Sequence, residues 1–121
     1  MIDPALIRTT GFRVSEDRGR LLENIVFLHL RMKMKEIYFH KDKKECDFVL
    51  REGNRIAQAI QVTTSLSNPE VKKREIEGLI EAMRAYDLQE GIILTENESD
   101  TVEIEGFRVL MMPIWKWLLF Q

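Results

Sequence analysis

The segment from Glu45 to Thr63 constrains the architecture of this chain more than any other. It holds two apolar stretches, Glu45-Cys46-Asp47-Phe48-Val49-Leu50 and Arg55-Ile56-Ala57-Gln58-Ala59-Ile60-Gln61-Val62-Thr63, around Arg51-Glu52-Gly53-Asn54. Both stretches alternate with the period of a strand, and Gly53-Asn54 tolerates positive φ, so the unit reads as a β-hairpin. Strict alternation puts Cys46, Phe48 and Leu50 on one face and Glu45, Asp47 and Val49 on the other. In the second strand it groups Ile56, Gln58, Ile60 and Val62 against Ala57, Ala59, Gln61 and Thr63. Asp47 and Gln61 therefore stand among residues with the composition of a core. A carboxylate or amide withdrawn from water is costly unless something satisfies it, and a bound cation is one such partner.

A chain of 121 residues is long enough to bury one core without disulfides. Its single cysteine, Cys46, excludes a disulfide framework and a thiolate metal cluster, and fits a reducing cytoplasm. No apolar run approaches the roughly 18 residues of a membrane span, and the N-terminus lacks the layout of a signal peptide. A soluble, cytoplasmic protein without a membrane partner is expected. Charge is unevenly spread: Arg31 to Arg74 carries eleven Lys or Arg against six Asp or Glu, whereas Glu75 to Glu105 carries ten acids and one Arg. The first half suits a polyanion and the second avoids one, unless both are simply solvated faces.

Residues 1–14 show no sustained period and read as a lead-in, leaving residues 15–121 as a single α/β domain. Ser15 is the expected N-cap of a helix running to about Met34, with Glu16 and Asp17 in its first turn. Ile37-Tyr38-Phe39 makes a strand, a polar turn over 41–44 follows, and the hairpin completes three antiparallel strands. Ser67 with Glu70 has the spacing of a capping box and Pro69 a first-turn position, so a second helix runs to about Tyr86. Gly91 to Thr95 reads as a buried strand, and two short edge strands lie near 102–104 and 107–110. Pro113 opens a final helix over Ile114 to Phe120. The order α-β-β-β-α-β-β-β-α implies a crossover and a mixed sheet of four or more strands flanked by two long helices.

That order, with Glu23 in the first helix, Asp47 in the second strand and Gln61-Val62-Thr63 ending the third, resembles the PD-(D/E)XK, or restriction-endonuclease-like, nuclease fold from Gly19 onward. More narrowly, Gly19-Arg20-Leu21-Leu22-Glu23-Asn24, Glu45-Cys46-Asp47-Phe48, Ile60-Gln61-Val62 and Arg74-Glu75 resemble the C-terminal domain of prokaryotic, largely archaeal, AAA-type ATPases. Ile2-Asp3-Pro4-Ala5-Leu6 resembles the junction from which that domain leaves a winged-helix segment. No phosphate-binding glycine loop accompanies it in this sequence.

The resemblance implies a metal-dependent phosphodiesterase or a DNA-binding derivative of one. Asp47 and Gln61 match the ligands of Mg²⁺ or Mn²⁺, Glu23 an additional acid, and the Val62 carbonyl a further ligand. Thr63 stands where the family carries Lys. A hydroxyl can position water but brings no cation to developing phosphate charge. Lys72, Lys73 and Arg74 are the candidate phosphate contacts, and three cations at a helix start oppose the dipole. The alternative is an inactive interaction or oligomerisation domain serving an AAA-type ATPase. For that role Trp115 and Trp117, near the C-terminus, are the candidate surface for self-association or docking. Outside the resemblance, Asp47 can equally be an edge-strand residue pairing with Arg55, and Glu23 a helical partner of Arg20. His29 and His40, isolated from each other, read as structural.

Overall fold

The computed structural model describes residues 14–120. The elements are α1 (Val14–Met32), β1 (Glu36–Lys41), β2 (Glu45–Glu52), β3 (Arg55–Val62), α2 (Pro69–Ala85), β4 (Glu90–Thr95), β5 (Asp100–Ile104), β6 (Phe107–Pro113) and α3 (Ile114–Phe120). The lead-in expected over 1–14, with its junction motif, lies outside the described residues except for Val14, which is already helical. Ser15 is thus within α1 and does not cap it.

Six strands form one mixed sheet in the order β1-β2-β3-β4-β6-β5. The first three are antiparallel neighbours. The α2 crossover then brings β4 parallel to β3, and β6 runs parallel to β4. β5 closes the far edge antiparallel to β6, so only one of the two expected edge strands lies at an edge. Pro113 ends β6 and precedes α3 instead of opening it; its missing N–H is tolerated at that end of the strand.

The sheet is covered on both faces. Leu22, Val26 and Leu30 of α1 pack on Phe48, Leu50, Ile60 and Leu94, with Ile114 and Trp117 of α3 closing the same layer. On the opposite face Leu79, Ala82 and Met83 of α2 pack on Cys46, Val49, Ala59 and Ile93. Burial of each large apolar side chain contributes about 1.5–3 kcal/mol, so these two layers dominate the stability of the domain. Among the described residues no helix is long and apolar enough to cross a membrane.

Two register shifts break the strict alternation expected of the hairpin. Tyr38 pairs with Val49 and His40 with Cys46, so β2 spends one residue more than β1 across Asp47-Phe48. Cys46 consequently joins Val49 on the α2 side, not Phe48 and Leu50. The second shift, between Leu50 paired with Gln58 and Arg51 paired with Ile56, returns Ile56 to the face of Ala59. Bulges of this kind bend a strand and re-aim a side chain, and the first one lies at Asp47.

Helix ends also depart from the sequence reading. α1 stops at Met32, and Met34 takes a left-handed conformation at φ 58°, turning the chain into β1. At α2 the cap is Asn68, whose side-chain oxygen accepts the N–H groups of Glu70 and Val71 at 2.9 and 3.4 Å; Ser67 lies one residue before it. Pro69 follows at the first helical position, as expected.

Candidate functional site

The bulge in β2, the end of β3 and the first turns of α2 meet around Asp47. Its carboxylate Oδ2 accepts the Val62 N–H at 2.8 Å, and its own N–H donates to Gln61 Oε1 at 2.8 Å. Gln61 Nε2 donates to the carbonyls of Glu45 at 2.9 Å and Glu75 at 3.1 Å. With 2 % of its surface exposed, Gln61 ties β2, β3 and α2 together. The two carbonyl partners settle which end of the amide is nitrogen, because only the amide nitrogen can donate to both. Oε1 keeps one further lone pair. α2 can approach this closely because residue 78 is glycine: a Cβ there would collide with the Glu45 carbonyl oxygen and stand 2.7 Å from Gln61 Nε2.

Changing Gln61 to Glu should therefore weaken the domain. It removes both amide donors, takes from the Glu45 and Glu75 carbonyls the bonds that hold β3 to β2 and α2, and adds an anion beside Asp47. We expect a loss of about 2–4 kcal/mol in urea unfolding at neutral pH. Unchanged stability would mean that the amide does not act as a latch.

Three carboxyls share this region. Burial pushes Asp47 up to about 6, with the Val62 hydrogen bond and Arg74 opposing the rise and Glu45 adding to it. Burial pushes Glu75 up to about 7 and the Asp47 charge raises it further, against Arg74. Glu23 is raised to about 7 by burial, then by Asp47 and Glu75, against Arg20. Glu75 Oε1 is buried with no hydrogen-bond partner, while Oε2 lies 3.7 Å from Arg74 Nε. The two arginines thus leave all three acids harder to ionise than a free carboxyl. The thiol of Cys46, beside them in the core, is pushed up to about 12 by burial and is inert.

Asp47 borders two clefts. One, of ≈ 480 Å³, is lined by Lys43, Lys44, Arg74 and Glu75 with Glu45 and Gln61. The other, of ≈ 400 Å³, lies between α1 and β1–β2 and takes Glu23 with Phe27, Tyr38, Phe39 and Phe48. Among the described residues no three His, Cys, Asp or Glu side chains converge closely enough to form a ready protein cage for a metal ion.

Of the candidates read from sequence, Asp47, Gln61 and Glu23 come together here. Asp47 does not face Arg55, which is paired with Glu52 at the far end of the hairpin. Thr63 lies one residue beyond β3; its N–H goes to the Leu94 carbonyl and its hydroxyl to the Ser65 carbonyl at 3.5 Å, and it lines neither cleft. Of the three cations at the start of α2 only Arg74 reaches the Asp47 cleft, whereas Lys73 lines a separate groove with Glu77 and Arg84. Trp117 is 1 % exposed and belongs to the core, so it cannot itself be a contact surface; Trp115, two residues away on α3, is 55 % exposed. His40 is buried between Tyr86 Oη at 2.9 Å and Glu81 Oε2 at 2.8 Å, and His29 stacks edge-on against Trp117 at 5.0 Å, both as structural groups.

Glu75, Lys43 and Lys44 are the residues that sequence reasoning leaves out of the site. Glu75 directly follows Arg74 and opens the acidic half of the chain, and the two lysines immediately precede Glu45. Those positions are their only sequence signal.

The chain is 34 % identical to an uncharacterised protein of Methanocaldococcus jannaschii, in an alignment covering 87 % of this chain and 26 % of that protein. It therefore spans about a quarter of the length of that relative. Residues 18–117, which hold the whole carboxylate site and both clefts, match the family described as Domain of unknown function (DUF4143), and the chain belongs to that family.

Proposed function

We propose that this domain is a metal-dependent nuclease-fold module that engages DNA, with a PD-(D/E)XK-like core and Asp47 at the centre of its site. The observation that carries the reading is the gathering of Asp47, Glu75 and Glu23 in a half-buried region where flanking arginines do not offset their charge. The orphaned Glu75 Oε1 adds an oxygen donor without a partner. Three antiparallel strands, a crossover helix and a parallel strand are also the order that such a core requires.

An all-oxygen donor set suits Mg²⁺ or Mn²⁺. Mg²⁺ in particular is commonly held by one or two carboxylates, retained waters and substrate phosphates, so it needs no three-acid cage. Asp47 with Glu75 or Glu23, and the Val62 carbonyl, are the residues to hold it. A divalent ion bound there supplies charge to a phosphodiester oxygen and acidifies water. The protein's own groups do the rest: the Val62 N–H fixes the rotamer of Asp47, and Lys43, Lys44 and Arg74 draw phosphates to one side of it. Lys44 Nζ is held 3.2 Å from Glu77 at the rim of that side. Thr63 supplies no cation, and loss of one electrostatic contact of this kind typically slows chemistry by about 10²–10³-fold. Slow cleavage, or binding without cleavage, is the corresponding behaviour.

The test is a titration of Mg²⁺ and Mn²⁺ followed by calorimetry and melting temperature, with Asp47→Asn as control. At a metal concentration about 100 times the dissociation constant, binding should stabilise the native protein by about 2.7 kcal/mol, and the variant should show no response. Folded protein that takes up neither metal leaves the second reading, a non-catalytic docking domain for an AAA-type ATPase. That reading is favoured by the exposed Trp115, Leu119 and Phe120 on α3.

A further inference from the structure

β1 is one edge of the six-stranded sheet, so the N–H and C=O groups along its outer side have no neighbouring strand among the described residues. The register shift against β2 does not disturb it. From Tyr38 to His40 β1 advances two residues while β2 advances three, so β1 itself keeps strict alternation. Ile37 packs in the α1 layer, and His40 bonds to Glu81 and Tyr86 on the α2 side. The chain therefore presents Lys35, Ile37, Phe39 and Lys41 as one row on the α1 side, and Glu36, Tyr38 and His40 as the other. The first row has an apolar middle and a cation at each end. Phe39 is 65 % exposed and borders the cleft that Phe27 and Ile37 also line, which takes in Glu23 and Asp47 as well. Lys35 and Lys41 are exposed and form no ion pair among the described residues, although Glu45 stands opposite Lys41 in β2. By contrast Arg18, Lys44, Arg74, Arg84 and Arg108 each have a carboxylate partner.

We infer that β1 is a docking edge for an extended acidic segment of another protein, which adds to the sheet as a seventh strand. The partner's main chain pairs with the open N–H and C=O groups, and its alternate side chains are read by the row from Lys35 to Lys41. Residues that meet across paired strands share a face, so the matching segment carries an acid, two apolar residues and a second acid at every other position. The acids meet the two lysines, and the apolar pair covers Phe39 and Ile37. The row has the same character from either end, so the edge selects this pattern and not a strand direction. Glu36, on the other row, repels an acid placed opposite it. A second copy does not fit: two β1 strands paired with Ile37 against Phe39 set Lys35 against Lys41 at both ends. β5, the opposite edge, turns Val102 and Ile104 to the α2 layer and leaves Thr101 and Glu103 on the α1 side, so it lacks the apolar pair. The inference is independent of any chemistry at Asp47.

The test titrates the protein into a fluorescein-labelled peptide, Gly-Glu-Thr-Val-Thr-Val-Thr-Glu-Gly, and reads anisotropy. Two further peptides serve as controls: one with both Glu changed to Lys, and one of unchanged composition scrambled to Gly-Glu-Val-Glu-Thr-Thr-Val-Thr-Gly. The acidic peptide should bind about tenfold tighter than the basic one, and the double variant Lys35→Glu with Lys41→Glu should reverse that order. Both positions are exposed, and melting curves verify folding. The scrambled peptide keeps the charge and loses the alternation, so it should bind about fivefold or more weaker than the parent peptide. Amide deuterium exchange over residues 36–41 should slow when the acidic peptide is bound, because added main-chain bonds protect that edge. No binding at about millimolar protein, where even a weak complex forms, overturns the inference. So does a basic or scrambled peptide that binds as tightly, a preference that the double variant fails to reverse, or unchanged exchange over 36–41. Self-association of the protein alone that slows exchange over 36–41 assigns the edge to a second copy and likewise overturns it.

Discussion

Replacing Gly78 by alanine will destabilise this domain by about 3 kcal/mol, with overpacking and loss of buried hydrogen bonds as the two sources. The same change at an exposed helical position would stabilise by about 1 kcal/mol, because alanine is the better helix former. The sign reverses because the new methyl group would collide with the Glu45 carbonyl oxygen and crowd Gln61 Nε2 at 2.7 Å. Glu45 is backbone at that point and cannot rotate away, so α2 has to lift from β2. Lifting it stretches the bonds from Gln61 Nε2 to Glu45 and Glu75, and separates Glu75 from Asp47. A loss of this size lowers the melting temperature by roughly 10 °C in a domain of this length. Metal uptake should weaken in parallel. A Gly78→Ala protein as stable as the parent would show that the helix has room to shift and that the contact is not a constraint.

Stability will fall as pH rises from about 4 to about 7, opposite to the trend of a protein stabilised by ion-paired carboxylates. Asp47, Glu75 and Glu23 hold their protons to about 6, 7 and 7 in the folded state, whereas in the unfolded chain they release them near the ordinary carboxyl values of about 4. Between those values the native state binds more protons than the unfolded state, so the derivative of unfolding free energy with pH is negative. The stabilisation is complete below about pH 4 and is lost by the time pH passes the folded values. For the well-buried Asp47, raised to about 6, the contribution is on the order of 3 kcal/mol. Glu23 and Glu75 contribute less than their shifts imply, because water screens their partly exposed carboxyls and the three titrations are coupled. Melting temperatures in metal-free buffer should therefore decline from pH 4.5 toward 7.5. Glu75→Gln should flatten the decline, which ties it to the buried acids. Mg²⁺ should offset the loss at the alkaline end, where the acids are ionised. A melting temperature that climbs through this interval in the parent protein would sink the carboxylate-cluster account.

Much of the architecture is legible in local patterns. The alternation around Gly53-Asn54 gives a hairpin, the 3.6-residue period after Pro69 gives a helix, and a helix between two strands of one sheet gives a parallel pair. These follow from side-chain direction and backbone sterics, which each segment carries with it. Asp47 and Gln61 are conspicuous for the same reason: polar groups at positions whose neighbours are apolar.

What they do there is a tertiary matter. Counting by twos places Cys46 with Phe48, and the pairing with β1 moves it to the other face through an extra residue at Asp47-Phe48. Gln61 has the chemistry of a ligand, yet its hydrogen bonds are set by the carbonyls that β2 and α2 bring to it across Gly78. Asn68 caps α2 where Ser67 had the favoured spacing, because the cap depends on where the chain leaves the helical path. Trp117 is core and Trp115 surface through the rotation of α3 against α1. Glu75, a charged residue among charged residues, becomes part of the site only when α2 closes over the sheet and removes its water. Period and propensity are properties of a segment and can be read along the chain. Proximity and desolvation of charges exist only after segments pack, and the candidate site of this protein is built from those two.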